Sequence, residues 1–129
     1  MNATQREVFG QEIALARRLM SERRHDEAFP HLERAHILGQ AHVRPHVMTH
    51  WLMLRIAVHR RQAHAAWGQV ARIVLGAIGS AVGSVPIGNT GGSDISMFKR
   101  MPIAPELQRV IDGSAPDPAA NAGRSGSLL

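Results

Sequence analysis

His25-Asp26-Glu27-Ala28-Phe29-Pro30-His31-Leu32-Glu33-Arg34-Ala35-His36-Ile37-Leu38-Gly39 is the stretch on which the fold turns. Asp26 can cap a helix, and Phe29, Leu32, Ala35, Ile37 and Leu38 supply it with an apolar face at helical spacing. Gly39 offers the stop that helices favour just past their end. Only a few residues separate it from Pro45, which suits the first turn of a further helix. That helix carries Val47, Trp51, Leu54 and Val58 and runs to about Arg61. So short a connection makes the two helices antiparallel neighbours.

Working outward, Thr4 followed by Glu7 fits a capping box. Val8, Phe9, Ile13, Ala16, Leu19 and Met20 then recur at helical spacing, predicting a helix over 4–23. A fourth helix is expected from about Ala63, with Trp67, Val70, Val74 and Ile78 on one packing face. Ala28 and Ala35 stand where the second helix of a tetratricopeptide repeat places small residues, and a 38-residue shift brings Ala28 onto Ala66, Leu32 onto Val70 and Ala35 onto Ile73. The second copy is degenerate, and its period exceeds the usual ~34 residues. The expected fold is all-α: two stacked helical hairpins forming a tetratricopeptide-like four-helix unit, followed by an irregular glycine-rich segment. An independent four-helix bundle is the competing arrangement. Residues 1–112 form the expected single domain, with a last helical turn or two over Glu106 to Ile111. From Gly113 the composition collapses to Gly, Ala, Ser, Pro and Asn, predicting a disordered tail over 113–129.

Composition narrows the chemistry. A chain of 129 residues that is 44% hydrophobic can build one core without staples. Having no cysteine, it offers no disulfide, thiolate metal site or cysteine nucleophile. Fifteen Lys+Arg against ten Asp+Glu give a net charge of +5. No acidic residue lies between Glu33 and Asp94, whereas Arg34, Arg44, Arg55, Arg60, Arg61 and Arg72 do. Such a segment attracts anions, unless acids of the first helix neutralise it. Nucleic acid is a poor match, because the basic residues are spread over several helices and aromatics are scarce. The uncharged run from Ile73 to Ser93 is interrupted by glycines and Pro86, which falls short of a membrane span. It reads as a buried helix with close-packing glycines. Arg6, Glu7 and Glu12 replace the apolar run of a cleavable signal, so a cytoplasmic location is expected.

The densest chemical signal surrounds the second connection. Glu33 and His36 share one helical face, as do His46 and His50 on the next helix. At ~1.5 Å rise per residue, His36 and His50 come to nearly the same level across the hairpin. His36, His46 and His50, with Glu33 as ligand or orienting carboxylate, therefore make a candidate site for zinc, copper(II), nickel or ferrous iron. Arg34, Arg44 and Arg55 would oppose a cation there, and a buried histidine donating to a carbonyl is the plainer reading of His50. Gly88-Asn89-Thr90-Gly91-Gly92 is a second candidate, an anion-binding nest of backbone amides. It lacks the lysine of a phosphate-binding loop, and a tight turn that lets the C-terminal segment fold back over the helices is the plainer reading. No hydrolase motif occurs, and the residues point away from an enzyme.

Several separated motifs fall in a distinctive order. They are His31-Leu32-Glu33-Arg34-Ala35-His36-Ile37-Leu38-Gly39-Gln40, His46 to Trp51 with Met53-Leu54, Gly68-Gln69 to Arg72-Ile73, and Pro86-x-Gly88 to Gly92 with Met101-Pro102-Ile103. Together they resemble a small bacterial family, domain of unknown function 3703, over about residues 5–112. The resemblance implies a cytoplasmic bacterial protein whose genes often sit among heavy-metal resistance genes. It implies no reaction. The family's polar signature maps onto His31, Glu33, His36, His46, His50, Asn89 and Thr90. Three expectations follow: a metal-handling protein, a helical module that binds a protein partner, or an anion- or phosphate-binding protein using the basic segment and glycine loop.

Overall fold

The computed structural model describes residues 1–84 and 87–114. Five helices follow one another: α1 (Ala3–Ser21), α2 (His25–Gly39), α3 (Val43–His59), α4 (Ala63–Ala81) and the short α5 (Pro105–Ile111). The described residues hold no strand, so the chain is all-helical there. The helices pack in order, α1 on α2, α2 on α3 and α3 on α4, with α5 folded back onto α1 and α2. The expected disordered tail falls almost wholly on 115–129, outside the described residues.

The two hairpin turns repeat each other. Arg23, two residues past the end of α1, has φ 61°, and Arg61, two residues past the end of α3, has φ 56°. Around the first, the Arg24 amide bonds the Leu19 carbonyl and Arg23 bonds Met20; around the second, Gln62 bonds Ala57 and Arg61 bonds Val58. Every partner is displaced by the same 38 residues that align Ala28 with Ala66. The same pair of bonds also closes α4, through the Gly83 and Ser84 amides, and α5, through those of Gly113 and Ser114, so the pattern is a general helix ending here and does not single out the 38-residue repeat.

Two caps differ from expectation. α1 is capped by Asn2, whose Oδ1 accepts from the Gln5 amide at 2.7 Å while Gln5 Oε1 accepts from the Asn2 amide at 3.2 Å. Thr4 lies inside the helix instead. The Asn2 side-chain amide also donates to the Val110 and Ile111 carbonyls, which ties α5 to the start of α1. Asp26 sits one residue inside α2 and does not cap it; its carboxylate pairs with Arg60. Gly39 closes α2 for a packing reason rather than a left-handed turn. A Cβ there would stand 2.8 Å from the Pro45 Cβ and 3.0 Å from the Phe9 ring.

The core is built by α1, α2, α3 and α5, from residues such as Phe9, Ile13, Leu32, Leu38, Leu52, Met53, Ile56 and Leu107. α4 reverses the expected arrangement. Its buried residues are Gln69, Arg72 and Ser80, whereas Trp67 is 73% exposed and Val74 and Ile78 more than half exposed. On α3, Trp51 and Val58 likewise face outward while Thr49, Leu52, Met53 and Ile56 are buried. Periodicity identifies the two faces of a helix but not which one turns inward. Here the polar and small face of α4 is drawn in by buried imidazoles on α2 and α3. No helix of the described residues is long and apolar enough to cross a membrane.

Candidate metal centre

His36 lies in the last turns of α2, His46 in the first turn of α3 and His50 one turn further along. All three are buried, between 2% and 5% exposed. Their imidazoles converge: His50 Nε2 is 3.1 Å from His36 Nε2 and 3.0 Å from His46 Nε2. The ring centroids are 4.6 to 4.8 Å apart.

The outer nitrogen of each ring fixes its tautomer. His36 Nδ1 faces the Asn89 carbonyl at 2.8 Å, a pure acceptor, so Nδ1 carries the proton. His50 Nδ1 faces Gln69 Oε1 at 2.7 Å. The Gln69 amide nitrogen donates to the Gly91 carbonyl and to Ser93 Oγ, which leaves its oxygen as the acceptor. His46 Nδ1 faces Ser80 Oγ, whose own hydrogen goes to the Gln40 carbonyl at 2.8 Å. In every ring the hydrogen is therefore on Nδ1 and the lone pair on Nε2. Three lone pairs then meet with no hydrogen between them.

Burial keeps these rings neutral. Desolvation pulls His46 down to about 4 and His50, with a further contribution from His46, down to about 3. His36 is also held well below the ordinary imidazole value by burial, then by its two neighbours. A proton is thus a poor occupant of the convergence point, and the three bare Nε2 atoms are a set that could hold a metal ion. Tetrahedral zinc, with bonds of ~2.0–2.1 Å, sets its ligand nitrogens roughly 3.3–3.4 Å apart, within a few tenths of the two distances to His50, and all three nitrogens lie within 4.8 Å of one another.

Backbone makes room for the rings. A Cβ at Gly76 would lie 2.9 Å from His46 Cε1, and one at Gly91 2.9 Å from His36 Cδ2. Gly91 also has φ 82°. The Asn89 side chain, 2% exposed, donates to the Ser96 and Lys99 carbonyls and accepts the Gly91 amide at 2.9 Å. Gly88 lies hard against the Met101 carbonyl, where a Cβ has no space. The glycine-rich loop thus forms a wall of the histidine cluster.

Of the expected ligands, Glu33 is not in the cluster. Its carboxylate lies beside Gly92, Thr90 and Asp94. Burial raises its pKa, against the lowering influence of the Thr90 hydroxyl nearby. His31, given no function by its position, pairs with Glu12 at 2.6 Å. Gln69 and Ser80, which hold two of the rings, escape sequence reasoning because neither titrates nor binds metal. Their signal is a polar and small stripe along α4 (Gln69, Gly76 and Ser80), on the face that a hydrophobicity reading turns to solvent.

A family model described as a protein of unknown function (DUF3703) matches residues 3–111. The chain belongs to that family. No match was found among curated proteins or among solved structures.

Proposed function

We propose that the protein binds one divalent transition metal through His36 Nε2, His46 Nε2 and His50 Nε2. Metal handling is the process such a site would serve. The observation that carries this reading is the tautomer pattern, in which Asn89, Gln69 and Ser80 each take an Nδ1 proton and leave three bare nitrogens facing one another. A merely structural histidine cluster would share hydrogens between its rings; this one has none to share. Zinc suits the set best, since a facial trio of neutral imidazoles completes a tetrahedron with one more ligand. Copper(II) and nickel favour tetragonal sites, and ferrous iron usually takes a carboxylate beside two histidines. Glu33 stays outside the ligand set, and Gln69 performs the orienting part that a carboxylate could have played. The Gly88 to Gly92 loop serves this site by supplying the Asn89 and Gly91 carbonyls.

Isothermal titration of chelator-treated protein with zinc tests the reading. One equivalent is expected to bind, His50→Ala is expected to abolish stoichiometric binding, and Gln69→Ala to weaken it roughly 10–100-fold. Circular dichroism establishes that each variant is folded. Absence of stoichiometric zinc, or equal binding by a folded His50→Ala, overturns it.

A further inference from the structure

Three protein nitrogens leave a tetrahedral ion one open position. In this molecule the three imidazoles border a cavity, where that position would lie. All three imidazoles line a space of about 90 Å³, together with Arg72, Leu75 and Phe98 among others, and none of its lining residues is acidic. The space admits several water molecules but is smaller than the ~150 Å³ that accommodates benzene. Phe98 is 78% exposed and Leu75 about half exposed, so the cavity opens to solvent at their side and small solutes can exchange.

Charge then decides what enters. The imidazoles are neutral, so a divalent ion would bring its full charge into a pocket that already contains the Arg72 guanidinium. Arg72 is only 8% exposed. One of its N–H groups donates to the Ile95 carbonyl, and the guanidinium has several further donors. Asp94 acts on Arg72 from outside the cavity lining. Buried charge left uncompensated is strongly unfavourable, and a guanidinium beside a Lewis acid is suited to an oxyanion bridging the two. We infer that the metal's fourth position takes an exchangeable small monovalent anion, hydroxide at rest or an azide- or acetate-sized ligand, held in the cavity between the three Nε2 atoms and Arg72. This inference rests on the metal reading above. It also gives the acid-free segment a specific role, since Arg72 belongs to it and the positive potential selects the ligand.

Cobalt(II) is the probe, because its visible absorption reports coordination directly. Cobalt-loaded protein is expected to change its d–d spectrum saturably with millimolar azide. Arg72→Met is expected to weaken azide binding roughly tenfold or more while cobalt still binds, the loss of a charge-assisted contact. Leu75→Trp, a change at the exposed rim, leaves the guanidinium intact and is expected to exclude acetate more strongly than azide. It keeps the test decisive if Arg72→Met fails to fold. A cobalt spectrum indifferent to azide overturns the anion site and leaves the metal site standing. Unchanged azide affinity in folded Arg72→Met overturns the part given to Arg72, as does unchanged acetate binding in Leu75→Trp for the cavity. Failure of the wild-type protein to take up cobalt overturns both readings together.

Discussion

Glycines separate two kinds of residue-scale constraint in this molecule. Gly10 lies in α1 with nothing within 4 Å of where a Cβ would be, so Gly10→Ala is expected to stabilise the fold by about 0.5–1 kcal/mol through helix propensity. Gly91 combines φ 82° with an imidazole 2.9 Å from a would-be Cβ. Gly91→Ala is expected to cost about 1–3 kcal/mol and to push His36 off its position, weakening zinc binding as well. Denaturant unfolding and zinc titration on the two variants check this contrast; a Gly91→Ala protein that binds zinc normally would show that the loop does not hold the ring. The three histidines themselves were legible, because an i, i+4 pair facing a third histidine across a short turn leaves little freedom. Glu33 shares a helical face with His36, yet its carboxylate goes toward Thr90 and Asp94, a rotamer outcome that spacing cannot specify. Gln69 and Ser80 were illegible as partners, since they act through single hydrogen bonds across 19 and 34 residues of chain.

At the scale of elements, the helices and their order follow from periodicity, whereas their inward faces do not. α1 and α2 have one strongly apolar face, and it is buried. α4 has an apolar face and a polar one, and the buried polar groups of α2 and α3 reverse the usual choice. Ion pairs fix the remaining element. Glu12 of α1 accepts from Arg34 Nε and pairs with His31, each at 2.6 Å, and Arg34 reaches Glu106 of α5 at 3.2 Å. The Glu12 and Arg34 side chains are 11% and 18% exposed. Removing one partner of such a pair leaves the other charge under-compensated. Glu12→Ala is therefore expected to destabilise the protein by about 2–3 kcal/mol, measured by urea unfolding, whereas Glu22→Ala, in an exposed pair with Arg24, is expected to cost less than about 1 kcal/mol. Equal effects would mean that the α1–α2–α5 junction is not held by this network. It also shows one arginine of the acid-free segment neutralised from the first helix, as the sequence allowed.

For the whole molecule, the histidine cluster is the place where both hairpins meet. His36 comes from the first hairpin and His46 and His50 from the second, and their outer partners extend the connection to α4 and the loop after it. Without metal, the three imidazoles make the fold sensitive to acid. Their folded pKa values are depressed, to about 4 for His46 and about 3 for His50, against ~6.5 in the unfolded chain. Between those limits the unfolded state binds more protons, so stability rises with pH. The metal-free protein should be fully stable above about pH 6.5 and lose stability steadily as pH falls toward 4. Zinc bound at the proposed site is expected to stabilise the folded state alone, by ~2.7 kcal/mol at a free concentration a hundred times its dissociation constant. For a domain of this size that corresponds to roughly 10 °C or more in Tm. Protons compete for the same Nε2 atoms, so the increment should shrink as pH falls. Differential scanning calorimetry with and without zinc, repeated from neutral pH to about pH 4.5, measures both effects. A metal-free Tm that is flat over that range would place the imidazoles in water, and a zinc increment independent of pH would place the ion on other ligands.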